Sequence, residues 1–312
     1  MYKVLITDTL PASALALIQD KKEYHVEVCA DMPAAALKEK IPEFHALVVR
    51  SKTKVDRNLI ESAKNLKVIG RAGIGLDNID LVAAGEKGID VLNTPGSNAD
   101  AVAELTIGLC FSLARKLYTA FSSLKSHNWI KSELTGSEIA GKTIGLIGFG
   151  TIGQKVGRIA AAIGMRVLTY KSSPIQKSPG YEFELVPLDE LLRKSDFVSL
   201  HLPRNQETAD MITSVQLKLM KPTAFLINCA RGGIVNEGDL LAALQGNIIA
   251  GAALDVFETE PPQRFELVDH EKVLATPHIG ASTSESQARV GQDIIKAVMN
   301  ILETKYLFIT GK

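Results

Sequence analysis

Residues 143–164 have the sequence TIGLIGFGTIGQKVGRIAAAIG, in which a short apolar strand pattern leads through a glycine-rich turn into a helical pattern. The glycines have the spacing G-x-G-x-x-G, and they lie directly after the strand and at the start of the helix, where this motif functions. They permit a tight turn, let the backbone approach a diphosphate, and let the helix pack closely on the strand. Because a helix N-terminus also offers free amides, the turn is predicted to bind a dinucleotide. The predicted cofactor-binding positions are Gly148, Gly150, Thr151, Ile152 and Gly153.

Short apolar strand patterns alternate with helical patterns on both sides of this turn, as expected of parallel sheets built from βαβ units. In the second half, strands are predicted at Thr143 to Ile147, Val167 to Tyr170, Phe197 to Leu200, Ala224 to Asn228, Ile249 to Leu254 and Val273 to Ala275. In the first hundred residues, they are predicted at Val4 to Ile6, His25 to Val28, Leu47 to Val49, Val68 to Ile69 and Val91 to Leu92. The fold class is therefore α/β with two doubly wound parallel-sheet domains, a Rossmann-type dinucleotide domain and a smaller flavodoxin-like substrate domain, with a cleft between them.

The domain boundaries follow from two long helical patterns. Residues 98–124 predict one helix that joins the domains, with Ser97 and Asn98 as candidate caps. The last pattern, from Ser282 to about Glu303, is longer than the second sheet requires and would return the chain to the first domain. We therefore predict a substrate domain of residues 1–97 plus 285–312 and a dinucleotide-binding domain of residues 98–284.

Composition favours a small-molecule partner. The 312 residues include 35 Lys and Arg against 35 Asp and Glu, so no overall field attracts nucleic acid or an anionic membrane. The N-terminus begins as a strand and no apolar run is long enough to span a bilayer, so we expect a cytoplasmic protein. Because Cys29, Cys110 and Cys229 form no CxxC pair and keep no metal-ligand spacing, we expect reduced core thiols and no metal site.

Three segments beyond predicted strand ends carry groups suited to acid-base chemistry. They are NCARGGIVNEGDL with Arg231, ALDVFETEPP with Asp255 and Glu260, and ATPHIGASTSES with His278. In an open α/β sheet this edge holds the ligand. A dinucleotide alone does not determine a reaction, which also needs an acid or base beside a cation that binds a carboxylate.

Five motifs occur together in this chain: GRAGIGLDNID (70–80), GFGTIG (148–153), NCARGGIVNE (228–237), LDVFETEP (254–261) and TPHIGAST (276–283). In this order they resemble the D-2-hydroxyacid dehydrogenase family, and the resemblance covers nearly the whole chain. Within the family, they most resemble the members that act on 3-phosphoglycerate. The resemblance is to a short form, and we expect no regulatory domain after residue 312.

The resemblance implies the roles of the catalytic residues. Arg231 holds the substrate carboxylate and carbonyl, His278 exchanges the proton at C2, and Glu260 orients and supports His278. A carboxylate beside an imidazole fixes the tautomer of the ring and favours its protonated form. Asp255 resembles a residue that family members place near the nicotinamide, although a structural carboxylate at a strand end fits the same pattern.

A second group of residues resembles the substrate loops of the family. The predicted substrate-binding positions are Arg50, Ser51, Arg71, Gly73, Ile74 and Gly75. The glycines expose backbone donors suited to a carboxylate, while Arg50 and Arg71 suit a second anionic group such as a phosphate.

The resemblance implies hydride transfer between NAD and a small 2-hydroxy acid, and it favours oxidation of 3-phosphoglycerate to 3-phosphohydroxypyruvate in L-serine biosynthesis. A glyoxylate or hydroxypyruvate reductase needs the same three catalytic residues and stays open as an alternative. A dinucleotide-sensing scaffold resembling the C-terminal-binding co-repressors also stays open. Because relatives pair through the dinucleotide domain, we expect a homodimer.

The adenosine end of the predicted site departs from the usual NAD pattern. NAD enzymes place Asp or Glu at the tip of the second strand to bind both ribose hydroxyls, whereas MRVLTYKSSP places Lys171 there, followed by Ser172. Lys171 either points to solvent or binds the 2′-phosphate of NADP. We predict NAD as the cofactor with weak discrimination against NADP.

Overall fold

The computed structural model describes residues 1–171 and 180–306, and the chain divides into two compact units. One unit comprises Met1–Asn98 and Ser282–Lys312, and the other comprises Ala99–Ala281. The first unit is therefore assembled from two separate stretches of sequence. We predict that this unit binds substrate and that the other unit binds the dinucleotide.

The described residues form strands and helices that alternate along most of the chain. The strands are β1 Tyr2–Ile6, β2 Tyr24–Val28, β3 Ala46–Val49, β4 Val68–Arg71, β5 Asp90–Leu92, β6 Thr143–Ile147, β7 Arg166–Tyr170, β8 Glu184–Leu185, β9 Phe197–Leu200, β10 Phe225–Asn228, β11 Gly251–Leu254 and β12 Val273–Ala275. The helices are α1 Ala12–Gln19, α2 Ala34–Lys40, α3 Arg57–Ser62, α4 Leu81–Glu86, α5 Ala99–Ala114, α6 Leu117–Lys125, α7 Thr151–Ala162, α8 Leu188–Lys194, α9 Ser214–Leu217, α10 Glu237–Gln245 and α11 Ser284–Thr304, with short 3₁₀ turns at Ile41–Glu43 and Lys131–Glu133.

The first unit has, in its described part, a five-stranded parallel sheet in the order β2-β1-β3-β4-β5. Helix α11 packs against this sheet, where Ile294 and Val298 are fully buried. A Cβ at Gly70 in β4 would press on the Val298 side chain, so the glycine allows the close approach of α11. The long C-terminal helix thus completes the core of the N-terminal sheet.

The second unit has, in its described part, a seven-stranded parallel sheet in the order β12-β11-β10-β9-β6-β7-β8. Strand β6 lies between β7 and β9, so the strand order reverses at β6 and the loop after it lies at the topological switch point. Because all the strands are parallel, the loops after β6, β10, β11 and β12 leave the same edge of the sheet. The fold class predicted from the sequence is confirmed.

Two elements differ from the prediction. The expected single helix over residues 98–124 is broken between α5 and α6, because Lys116 adopts a left-handed conformation with φ of 50°. Because the apolar periodicity continues across this break, the sequence pattern does not indicate that the helix ends there. Strand β8 was not predicted, since it has only two residues and both are exposed.

Three further observations complete the description of the fold. Cys110 and Cys229 are buried, whereas Cys29 is only half-buried and so is not the core thiol expected from the sequence. Within residues 1–171 and 180–306, no helix is long and apolar enough to cross a membrane. In the same part of the chain, no group of three or more His, Cys, Asp or Glu side chains is arranged to hold a metal ion.

Candidate active site

The glycine turn after β6 has the geometry of a diphosphate-binding loop. Gly148 has φ of 98°, and its amide donates to the Tyr170 carbonyl at 2.9 Å. A Cβ at Gly148 would overlap the backbone carbonyl of His201, and one at Gly153 would overlap the carbonyl of Gly148. Both positions therefore require glycine, the first for its positive φ and both for close packing.

The start of α7 is open to an anionic ligand. A Cβ at Gly150 would meet nothing within 4 Å, so the turn leaves space on this side for a ligand to approach the backbone. Gly150 is the N-cap, and within the described residues no side chain caps α7 and no acidic residue lies in its first turn. The amides of Thr151 and Ile152 therefore remain available at the positive end of the helix dipole. These residues fit a dinucleotide diphosphate.

His278 and Glu260 form a close pair at the edge of the second sheet. His278 Nδ1 lies 2.6 Å from Glu260 Oε2, and Glu260 Oε1 accepts a hydrogen bond from the Phe257 amide at 3.1 Å. Burial raises the pKa of Glu260, but the hydrogen bond and charge of His278 outweigh burial and hold that pKa below its usual range. The carboxylate therefore stays ionised at neutral pH. Since Nδ1 is bonded to Glu260, Nε2 is the nitrogen left for proton exchange.

Arg231 lies in the loop after β10, and the structure brings this loop to the His278–Glu260 pair. The Arg231 guanidinium donates to the Ala230 carbonyl at 2.7 Å, and its positive charge helps to lower the pKa of Glu260. A Cβ at Gly232 would overlap the Phe257 carbonyl, so this glycine lets the Arg231 loop pack on the loop that carries Glu260. The three predicted catalytic residues thus lie in adjacent loops of one unit.

Two buried polar residues shape these loops, and sequence reasoning gave no role to the first of them. Asn228 accepts from the Ala230 amide at 3.0 Å and donates to the Arg231 carbonyl at 2.9 Å. The Asp255 amide donates to the Asn228 carbonyl at 2.9 Å, which ties the ends of β10 and β11 together. A polar residue at the last position of an apolar strand is the sequence signal that would have indicated Asn228.

Asp255 organises the loop that carries His278. Its carboxylate is 1% exposed and accepts from the Thr276 hydroxyl at 2.6 Å, the Ile279 amide at 2.8 Å and the Gly280 amide at 2.8 Å. These bonds flank His278, whose backbone has a φ of 52°. Such a conformation is strained for a non-glycine residue and persists where surrounding contacts hold it. The contacts therefore favour the structural role of Asp255, and a direct contact with the cofactor stays a prediction.

In the first unit, the structure places Arg50 and Arg71 at the ends of neighbouring strands, with Val49 paired to Arg71. Gly73 has φ of 152°, and a Cβ there would overlap the Arg71 guanidinium, so glycine lets this side chain lie across the loop. Asn78 donates to the carbonyl of Arg50 at 2.8 Å and thereby fixes the Arg50 loop.

The rest of this loop region is held by backbone contacts. The Gly73 carbonyl accepts from the Thr94 amide at 3.0 Å, and the Ile74 carbonyl accepts from Asn93 at 2.6 Å. Gly75 is half-buried, and Ser51 is exposed on the Arg50 loop. The carbonyls of Gly73 and Ile74 are thus both hydrogen-bonded. Sequence reasoning did not identify Asn78 and Asn93 as the residues that hold the two loops.

Comparisons with known proteins identify the family of this chain. Residues 107–280 match the family described as D-isomer specific 2-hydroxyacid dehydrogenase, NAD binding domain. A hydroxypyruvate reductase of Thermotoga maritima is 45% identical over 304 residues, covering 96% of this chain and 98% of that protein. A D-3-phosphoglycerate dehydrogenase of Methanocaldococcus jannaschii is 44% identical over 304 residues, covering 97% of this chain but only 58% of that protein.

A solved structure of a D-lactate dehydrogenase from Aquifex aeolicus, complexed with NAD and lactic acid, is 29% identical with a TM-score of 0.84, covering 99% of this chain and 98% of that one. The fold and the site thus define an NAD-dependent oxidoreductase. The chain belongs to the D-isomer specific 2-hydroxyacid dehydrogenase family. Its cofactor is NAD, and its substrate belongs to the class of 2-hydroxy acids.

Lys171 follows β7 directly and is half-buried, while Ser172 lies outside the described residues. If Lys171 weakens the preference for NAD, then Lys171→Asp raises the NAD over NADP ratio of kcat/KM at least about tenfold, equivalent to about 1.4 kcal/mol, because a carboxylate repels the 2′-phosphate. Steady-state kinetics with both cofactors measure this ratio. Lys218→Asp, at an exposed lysine of the same unit, is the control. An unmodified protein that already rejects NADP as strongly as the variant does removes Lys171 from cofactor choice.

Proposed function

We propose that this chain oxidises 3-phosphoglycerate to 3-phosphohydroxypyruvate with NAD, a reaction that feeds L-serine synthesis. The observation that supports a phosphorylated substrate is the pair of arginines at neighbouring strand ends of the first unit, Arg50 and Arg71. The fork of a guanidinium matches a phosphate in shape and charge. A substrate with a carboxylate at one end and a phosphate at the other needs cations beyond Arg231.

The catalytic residues divide the chemistry between them. A dinucleotide held at the glycine turn, Gly148 to Gly153, would supply the nicotinamide that takes the hydride from C2. His278 Nε2 accepts the proton of the C2 hydroxyl, and the Glu260 carboxylate stabilises the charge that the ring then carries. Arg231 binds the substrate carboxylate and stabilises negative charge on the C2 oxygen in either direction of the reaction. The 2.6 Å contact between His278 and Glu260 supports this division.

A second candidate is reduction of hydroxypyruvate or glyoxylate. It is favoured by the Thermotoga maritima relative, which is named a hydroxypyruvate reductase and is matched over 98% of its length. The catalytic residues serve both candidates equally, since both substrates are 2-hydroxy or 2-oxo acids. The two candidates differ in whether the substrate carries a phosphate, and the first-unit arginines provide the test.

Arg50→Ala and Arg71→Ala are expected to weaken use of 3-phosphoglycerate by about 1.5–3 kcal/mol per charged hydrogen bond lost, and to leave use of glyoxylate nearly unchanged. The measurement is kcat/KM for both substrates with each variant. Lys52→Ala is the matched control, because Lys52 lies two residues from Arg50, is 76% exposed and pairs with Asp31 at 2.9 Å. Equal losses on the two substrates contradict a phosphate-binding role, and efficient turnover of hydroxypyruvate without turnover of 3-phosphoglycerate favours the second candidate.

We also propose that the chain forms a homodimer through the second unit. Helix α6 has no buried residue, and its apolar side chains Leu117, Tyr118, Phe121 and Leu124 are each at least 50% exposed, as is the nearby Trp129 at 80%. An apolar surface of this kind marks an interaction site. A second copy of the chain fits it, because the family resemblance implies pairing through the dinucleotide domain.

Phe121→Asp tests this proposal by placing a charge in the centre of the apolar face. We expect the mass measured by light scattering after gel filtration to fall from that of a dimer to that of a monomer, because a buried unpaired carboxylate opposes association. Val215→Asp is the control, since Val215 is 63% exposed on α9 of the same unit. An unmodified chain that is monomeric, or a Phe121→Asp dimer as stable as the control, contradicts the proposal.

A further inference from the structure

His201 packs against the glycine turn. It follows β9 directly, and its amide donates to the Ile147 carbonyl at 2.8 Å, one residue before the turn begins. A Cβ added at Gly148 would overlap the His201 carbonyl. A Cβ added at Gly153 would lie 3.7 Å from the Cβ of His201. His201 therefore packs against Gly148 and lies close to Gly153.

The ring of His201 has one bonded nitrogen and one unbonded nitrogen. Nε2 lies 3.0 Å from the hydroxyl of Ser199, which is fully buried. Nδ1 is also buried, and among the described residues it has no hydrogen-bond partner. Burial lowers the pKa of His201 to about 3, so the ring is neutral at physiological pH. Most buried polar atoms are paired, so an unpaired one next to a ligand-binding turn calls for a functional explanation.

Counting donors and acceptors decides which nitrogen carries the proton. If Nε2 donates to Ser199, the buried Ser199 hydroxyl proton and the Nδ1 lone pair are both left unpaired. If the Ser199 hydroxyl donates to Nε2, only Nδ1 is left unpaired, and it then carries the ring proton. The second arrangement leaves fewer buried groups unsatisfied and is therefore favoured. His201 thus holds a buried, neutral N–H donor on a residue whose backbone packs against the turn.

We propose that His201 is a positioning residue for the dinucleotide, whose Nδ1–H becomes hydrogen-bonded when the diphosphate binds at the glycine turn, and that Ser199 fixes the required tautomer. Among the described residues the N–H is buried without a partner, and pairing it with an acceptor when the dinucleotide binds contributes to affinity. The inference rests on dinucleotide binding and is independent of the substrate proposed above.

Two substitutions separate the roles of the two ring nitrogens. The side-chain amide of Asn places a donor where Nδ1 stands, so His201→Asn keeps the proposed donor and loses the contact with Ser199. The amide of Gln reaches the position of Nε2, so His201→Gln keeps the Ser199 contact and loses the donor at Nδ1. Both variants remain neutral and polar, and their thermal unfolding midpoints show whether each one is folded.

The binding of NADH to each variant, measured by fluorescence titration without substrate, tests the proposal. We expect His201→Gln to raise the Kd for NADH at least about tenfold, equivalent to about 1.4 kcal/mol, and His201→Asn to raise it less than about threefold. Competition by ADP-ribose, which carries the diphosphate and lacks the nicotinamide, should show the same order. Equal weakening by both variants indicates that the ring only fills space, and an unchanged Kd in His201→Gln removes Nδ1 from binding. Either result overturns the proposal, and neither depends on which 2-hydroxy acid the protein uses.

Discussion

His278→Asn is expected to lower turnover by about 10²–10⁴-fold while leaving the Kd for NADH unchanged, because it removes the proton-exchanging nitrogen and keeps the rest of the contact. His278 bonds to Glu260 through Nδ1 at 2.6 Å, and the Asn amide stands in for Nδ1 but has no group in place of Nε2. The fall should appear in kcat with either direction of the reaction. Turnover near that of the unmodified protein would show that His278 does not carry the proton.

Glu260→Gln tests the role of the carboxylate that bonds to His278. The Glu260 carboxylate is ionised because His278 holds its pKa below the usual range. Gln keeps a hydrogen-bonding group opposite Nδ1 but removes the negative charge that stabilises positive charge on the ring during proton exchange, so kcat/KM should fall while the Kd for NADH stays unchanged. Steady-state kinetics with the 2-oxo acid and a separate NADH titration measure the two quantities. Activity equal to that of the unmodified protein would show that the charge of Glu260 is not needed.

The sequence allowed the main elements of the site to be predicted where they depend on local patterns. The motif from Gly148 to Gly153 lies between a strand and a helix that are contiguous in sequence, so the turn geometry follows from nearby residues. The pairing of His278 with Glu260 spans 18 residues. It could be expected because both residues follow strands of a parallel sheet, and such strand ends meet at one edge.

The supporting contacts could not be predicted, because they depend on residues distant in the sequence. Position 232 needs glycine because a Cβ there would overlap the Phe257 carbonyl. Asp255 is needed because its carboxylate accepts hydrogen bonds from two amides that follow β12. In the sequence these positions look like an ordinary turn glycine and an ordinary acidic residue at a strand end. The break at Lys116 was missed for a related reason: helical periodicity reports which side chains are apolar and not where the backbone changes direction.

Arg231→Ala is expected to lower kcat/KM by about 10²–10³-fold, the effect of removing one preorganised donor from the developing oxyanion. The Arg231 loop is held by Asn228 on one side and packs through Gly232 on the other, so the guanidinium is presented on a fixed backbone. The loss should appear with phosphorylated and unphosphorylated substrates alike, since every 2-hydroxy acid has the carboxylate and the C2 oxygen. This uniformity distinguishes Arg231 from Arg50 and Arg71.

Arg231→Lys shows whether charge or geometry carries the effect of Arg231. Lysine keeps one positive charge but cannot donate two parallel hydrogen bonds, so it should restore only part of the activity lost in Arg231→Ala. Arg193→Ala, at an exposed arginine in the last turn of α8, controls for a general loss of positive charge from the unit. If Arg231→Lys were as active as the unmodified protein, one positive charge would be enough for activity. Two parallel hydrogen bonds from residue 231 to the substrate carboxylate would then not be needed. If Arg231→Ala lost no more activity than Arg193→Ala, the substrate carboxylate would have to be bound elsewhere.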